Sequence, residues 1–182
     1  MFLTGTPGVG KTTVLVRAAE ALKAEGYRVG GMTSREVRER GVRVGFEITD
    51  FDTMHKGWLA HVNQPSGPQI GKYRVNLKDL DAIGANAILN AVKNADIILI
   101  DEIGPMELFS QSFKEAVEQA INSQKPIIGT IHFKASHPLI RKIKTNEDAE
   151  IFEVTYQNRA VLHDVVVEKV VQYLKRLFCC KA

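Results

Sequence analysis

The sequence predicts an α/β fold, a mostly parallel sheet flanked by helices with an antiparallel β-hairpin inserted into it. Three observations lead there. Short apolar runs alternate along the chain with segments of helical periodicity, the pattern of helices layered on a sheet. Ile97-Ile98-Leu99-Ile100 and Pro126-Ile127-Ile128-Gly129-Thr130-Ile131 are strand-like runs without polar alternation, as strands covered on both faces are. Val42-Arg43-Val44-Gly45-Phe46-Glu47-Ile48 alternates instead, as a half-exposed antiparallel strand does.

Taken in order, Met1-Phe2-Leu3-Thr4 forms a first short strand, stopped by Gly5, Gly8 and Gly10. Val14, Leu15, Ala18, Ala19 and Leu22 then recur on one helix face, and Gly26 stands where a left-handed residue ends a helix. Tyr27 to Met32 reads as a strand, and Glu39, Arg40 and Gly41 as the turn into the alternating strand. Residues 62–72 carry Pro65, Gly67, Pro68 and Gly71 and read as a loop. Leu80, Ile83, Ala87 and Ala91 give a helical stripe over residues 79–93. After the Ile97–Ile100 run, Phe113, Ala116, Val117, Ala120 and Ile121 mark an amphipathic helix, with Ser112 and Glu115 spaced as a capping box. Ile151 to Val154 is the last strand expected. Leu162, Val165, Val166, Val170, Tyr173, Leu174 and Leu177 keep one face of a C-terminal helix apolar.

The 182 residues suit one domain spanning 1–182, with enough chain to bury a core unaided. A formal charge of +3, from 24 Lys+Arg against 21 Asp+Glu, gives no case for a membrane surface; it disfavours nucleic acid as a partner without excluding it. The two cysteines are adjacent, Cys179 and Cys180, and read as reduced thiols rather than a disulfide framework or zinc site. No apolar run reaches bilayer length and no signal-peptide pattern opens the chain, so a cytoplasmic protein is expected.

Chemistry enters at Gly5-Thr6-Pro7-Gly8-Val9-Gly10-Lys11-Thr12, which fits G-x-x-x-x-G-K-[ST] without a mismatch. A strand precedes it and a helix follows, as the mechanism requires. Glycines let successive backbone N–H groups curl around one anion, and the helix dipole adds to their pull. Lys11 would reach the β- and γ-phosphates, and Thr12 would place its hydroxyl on Mg²⁺. Downstream, Asp101 and Glu102 end the apolar Ile97–Ile100 run, at the sheet edge where open α/β folds bind ligands. Asp101 can hold a magnesium-bound water there, and Glu102 can polarise a water for attack on the γ-phosphorus. The stretch between the two motifs has room for a further strand. This is compatible with the P-loop class in which another strand separates the phosphate-loop strand from the acidic one.

These segments resemble the thermophilic and cancer-related nucleoside-triphosphatase family. The matching stretches are Phe2 to Thr13, Gly41 to Phe46, Gly71 to Leu77, Ile100-Asp101-Glu102-Ile103-Gly104-Pro105-Met106-Glu107-Leu108-Phe109-Ser110, and Val154-Thr155-Tyr156-Gln157-Asn158-Arg159. The segment running from Asp101 through Ser110 is the specific part. The resemblance implies a RecA-like P-loop domain hydrolysing ATP, GTP and other triphosphates to the diphosphate with low base selectivity. It implies that Gly5, Thr6, Pro7, Gly8, Val9, Gly10, Lys11, Thr12 and Thr13 bind the triphosphate, and that Asp101, Glu102, Ile103 and Gly104 complete the site. Pro105 stands where many relatives carry a basic residue.

Other polar residues have ordinary readings beside functional ones. Glu107 is a second acid near magnesium or a carboxylate at the start of a helix. Thr130 or His132, ending a strand, is a γ-phosphate sensor or an ordinary strand-end group. Asn158 and Arg159 contact the base or ribose, or form a helix cap with a surface arginine. Arg35, Arg38, Arg40 and Arg43 form a solvated basic face, or supply an arginine finger or an RNA contact. Trp58 anchors core or loop. Hydrolysis of nucleoside triphosphates is the leading function, with Lys11 and Glu102 as its catalytic pair and Mg²⁺ as cofactor. A P-loop kinase for small molecules or nucleotides, or a nucleotide-switched adaptor for RNA or protein, remains the alternative. No Asn-Lys-x-Asp element reads guanine, and nothing in the sequence identifies a protein partner.

Overall fold

Apolar alternation decides how the strands stack. In the computed structural model, which describes residues 1–179, Ile97–Ile103 (β7) turns Ile98 and Ile100 to one hydrophobic core and Ile97 and Leu99 to another. One strand therefore feeds two cores, which is why its sequence shows no polar alternation. Around it nine strands form one sheet in the order β5-β6-β4-β3-β2-β7-β8-β1-β9. They are Phe2–Thr4 (β1), Val29–Glu39 (β2), Val42–Asp50 (β3), Lys56–His61 (β4), Gln69–Ile70 (β5), Tyr73–Val75 (β6), β7, Ile127–Ile131 (β8) and Ile151–Glu153 (β9).

The half from β2 to β9 is parallel. From β2 outward to β5 the pairing is antiparallel. The expected hairpin is β2–β3, and its turn places Arg40 and Gly41 at φ of 48° and 80°, the positive values a two-residue type I′ turn demands. The insertion then continues through β4, β6 and β5, beyond the hairpin read from the sequence. Two of these strands are two and three residues long, short enough to fit between Pro68, Gly71 and the next helix. The strand separating β1 from β7 is β8, so the layout of the expected P-loop class is present. The separating strand, however, comes from after β7 in the chain rather than from between the two motifs.

Helices cover both faces. Lys11–Ala24 (α1) and Leu162–Cys179 (α6) pack on the face of Leu3, Ile97 and Leu99. Leu162, Val166, Val170 and Leu174 are the buried line of α6, while Val165 and Tyr173 lie on its exposed flank. α1 ends as Gly26 predicted. That residue takes φ of 92°, its N–H donates to the Lys23 carbonyl, and the Tyr27 N–H donates to that of Leu22, a Schellman motif. On the other face, the stripe read over 79–93 is composite. Leu77–Asp79 (α2) leads through a π-helical turn, Leu80–Ala85, into Asn86–Asn94 (α3).

Beside it Gln111–Asn122 (α4) buries Phe113, Ala116, Val117 and Ala120. The cap of α4 differs from expectation: Ser110, not Ser112, accepts from the Phe113 N–H at 2.9 Å, and Glu115 instead accepts from the Gln111 side chain. Pro138–Lys144 (α5) is a further helix, capped by His137 and started by Pro138. The cysteine pair falls at the end of the chain, and Cys180 lies outside the described residues. Among the described residues no helix is long and apolar enough to cross a membrane.

Candidate functional site

Gly5 to Gly10 leave the buried end of β1 and must return to start α1. Gly5, Gly8 and Gly10 all take positive φ, 144°, 78° and 110°, values that a side chain resists. At Gly5 a Cβ would also meet the Val154 carbonyl at 2.7 Å. Val9 is buried and pins the loop to the core beside α1, while Thr6, Pro7 and Gly8 are exposed at its outer arc. Gly10 caps α1 with no side-chain hydrogen bond, so the first-turn N–H groups face the concavity that the loop encloses.

Lys11 begins α1 with its side chain nearly buried. Its ammonium donates to the Gly5 carbonyl at 3.3 Å and lies 3.9 Å from Glu102 Oε2. Thr12 is half-buried and Thr13 exposed on the same helical turn.

The parallel order delivers the acidic pair to this loop. Asp101 is 1% exposed at the end of β7. Its Oδ1 accepts from the Thr130 hydroxyl of β8 at 2.7 Å, and its Oδ2 is buried with no hydrogen-bond partner. Burial pushes this carboxyl up to about 6, against the opposing pull of the Thr130 and Thr12 hydroxyls. Thr12 and Asp101, predicted to share a cation, therefore face each other. Glu102 points to Lys11 and keeps about a quarter of its side chain open to solvent. Burial raises its pKa, and the Lys11 charge opposes the rise.

Ile103 contributes differently from expectation, and Asn158 and Thr130 take structural roles closer to their ordinary readings. Ile103 is 0% exposed with its side chain in the core, and its carbonyl accepts from the His132 N–H. It fixes the acidic strand to β8 and presents no side chain to a nucleotide. Asn158 spends its amide on its own loop: Oδ1 accepts from the Thr155 N–H at 2.8 Å, and Nδ2 donates to the Glu153 carbonyl at 2.8 Å. It braces the turn rather than presenting a free polar group. Thr130 is fully buried and serves Asp101, so it cannot touch a γ-phosphate directly.

Arg159, carried by the braced turn, does reach the site's border, its Nη1 donating to the Val9 carbonyl at 3.3 Å. Gly104 is buried between two acids, since a Cβ there would lie 3.0 Å from Glu107 Oε2 and 3.3 Å from Glu102 Oε1. Glu107 does open a helix, the 3₁₀ turn Glu107–Phe109, but it is enclosed there rather than solvated. It is 5% exposed, and burial first, then the Glu102 charge, raises it to about 8. His132 is held below its ordinary pKa by burial, then by Lys11 and Lys134.

Arg35, Arg38 and Arg43 of the basic cluster form ion pairs along the hairpin. Arg35 meets Glu47 at 2.8 Å, Arg43 meets Glu36 at 2.8 Å, and Arg38 pairs with the same Glu36. Such exposed pairs are worth little in stability. Trp58 is half-buried against the His61 ring, with its backbone N–H on Asp79, an anchor as expected.

Comparison with known proteins gives a consistent picture. A family model described as NTPase matches residues 1–167. Over 175 residues the chain is 46% identical to nucleoside-triphosphatase THEP1 of Thermofilum pendens, covering 96% of each chain. Two solved structures share the fold. The crystal structure of THEP1 from Aquifex aeolicus has a TM-score of 0.82 at 30% identity, covering 93% of this chain and 98% of that one. The solution structure of a human cancer-related nucleoside triphosphatase has a TM-score of 0.78 at 36% identity, covering 93% and 96%.

Proposed function

The chain belongs to the NTPase family, and from that premise we propose that it hydrolyses nucleoside triphosphates, with Mg²⁺, at the junction of the phosphate loop and the β7 acids. The reaction is attack of water on the γ-phosphorus with departure of the nucleoside diphosphate. Family membership favours this over a kinase or an adaptor. One observation carries the assignment of residues: Lys11 Nζ and Glu102 Oε2 lie 3.9 Å apart, so a cation for the leaving phosphates and a carboxylate for water share one small volume.

The backbone N–H groups of the loop and of the first turn of α1, Pro7 having none, cradle the β-phosphate, and Lys11 spans to the γ-phosphate. The residues also fit a divalent cation. Asp101 Oδ2 is buried without a partner, a costly state for a carboxylate oxygen unless a positive group meets it, and the Thr12 hydroxyl faces the same carboxyl. Thr12 and Asp101, the latter through water, would hold Mg²⁺, which when bound neutralises charge on the phosphate oxygens. Thr130 fixes Asp101 through its 2.7 Å hydrogen bond, the kind of outer contact that orients a ligand. Glu102, partly open to solvent, takes the proton of the attacking water.

The family resemblance supports low selectivity among ATP, GTP and other triphosphates. Arg35, Arg38 and Arg43 of the hairpin pair with Glu47 and Glu36; where no arginine is delivered to the γ-phosphate, turnover is slow, since that contact is worth about 10³–10⁵ in rate. Glu102→Ala tests the assignment. Nucleotide binding by calorimetry should persist while phosphate release falls about 10²–10⁴-fold; unchanged turnover removes Glu102 from the mechanism.

A further inference from the structure

We propose that Tyr156 is a stacking platform for the nucleobase and that it takes any base. The proposal rests on the triphosphatase reading above and extends it to the nucleoside end of the substrate. Tyr156 is 68% exposed at the border of the site, so its ring is open to a planar ligand. The ring is nevertheless held in place. The Arg159 guanidinium lies 4.9 Å from its centroid, and that guanidinium is tied to the phosphate loop by its donation to the Val9 carbonyl.

The turn itself is stiffened by Asn158. Its side chain bridges the Thr155 N–H and the Glu153 carbonyl, and its own N–H donates to the Thr155 hydroxyl at 3.2 Å. Arg159 also runs beside Gly10, its Cδ 3.7 Å from where a Cβ would sit, which puts the ring's support at the N-terminus of α1. A nucleotide whose phosphates lie in the loop must extend its nucleoside outward past this terminus.

The position follows from topology. β9 pairs with β1 on the side away from β8, so the turn after β9 emerges beside the loop after β1. An aromatic face there offers each base the same contact, because every base has a π-face and stacking reads no hydrogen-bonding edge. With one face of the ring backed by the guanidinium, a base can take the other.

The test measures dissociation constants by calorimetry for ADP, GDP, CDP, UDP and inorganic tripolyphosphate, on the full chain and its variants. Tyr156→Ala should weaken all four nucleotides by roughly tenfold and leave tripolyphosphate, which has no base, unchanged. Tyr156→Phe should restore nucleotide affinity. Equal weakening of tripolyphosphate would mean that the ring only supports the loop, and would overturn the proposal. So would unchanged nucleotide affinity, or a loss confined to one base. Phosphate release is scored separately: wild-type protein that binds in this pattern yet releases no phosphate refutes the triphosphatase reading and leaves the platform standing.

Discussion

Replacing Glu107 by glutamine should stabilise the protein at neutral pH and leave its stability in mild acid unchanged. Glu107 is 5% exposed, and burial with the neighbouring charges of Glu102 and Asp101 raises it from 4.5 to about 8. A group whose folded pKa is raised contributes stability that is fully present below its unfolded pKa and is lost as pH climbs through the folded one. The window for Glu107 is therefore from 4.5 to about 8. At about 1.4 kcal/mol per tenfold, ionising this carboxyl in the folded protein is about 5 kcal/mol harder than in the unfolded chain. At pH 7 the folded group is mostly protonated and the unfolded one ionised, so the loss felt there is about 3 kcal/mol.

Glutamine keeps the shape of the neutral acid and never ionises. Urea unfolding of both proteins in chelator, from pH 5 to 8.5, reads the difference directly. Glu107→Gln should exceed wild type by under about 1 kcal/mol at the acid end and by about 3 kcal/mol at pH 7. A gap that stays flat across this range would refute the buried, neutral carboxyl.

Thr130→Val preserves volume and deletes the hydrogen bond to Asp101. Magnesium titrations of phosphate release should show affinity or activity reduced about 10–100-fold, and an unchanged titration would deny Thr130 its positioning role. Gly5→Ala should cost both stability and nucleotide affinity, because φ is 144° and the new Cβ would sit 2.7 Å from the Val154 carbonyl. Melting and calorimetry check it, and a variant binding ADP at wild-type strength would contradict the geometry.

The elements read well from sequence where local chemistry and tertiary demand coincide. The phosphate loop is legible because its glycines are needed for backbone reasons at positions that the motif fixes. β7 is legible because both of its faces are buried, and α6 because Leu162, Val166, Val170 and Leu174 share one stripe. What was missed depends on contacts remote in sequence. β5 and β6 sit among true chain breakers, and only pairing with β4 makes Tyr73 and Val75 a strand. Ser112 reads as the cap of α4, but the chain leaves the 3₁₀ turn Glu107–Phe109 at Ser110, which takes that place.

α5 did carry a signal, Pro138 followed by Leu139, Ile140 and Ile143, which a reading of start residues could have found. In the site, Lys11, Thr12, Asp101 and Glu102 were readable because motif spacing names them. The burial of Glu107 was not, since glutamates are rarely enclosed. Thr130 reads in the sequence as a sensor or an ordinary strand-end group; only the parallel register of β7 and β8 shows that it serves Asp101. Asn158 and Arg159 were read as a pair, and the structure separates a loop brace from a loop contact.

Phosphate release from ATP, GTP, CTP and UTP, with magnesium and with chelator, for wild type beside Lys11→Ala, tests the central claim most directly. The account predicts release from all four with wild type and magnesium, and none with chelator or with Lys11→Ala. Equal release by Lys11→Ala, or release indifferent to magnesium, would contradict it.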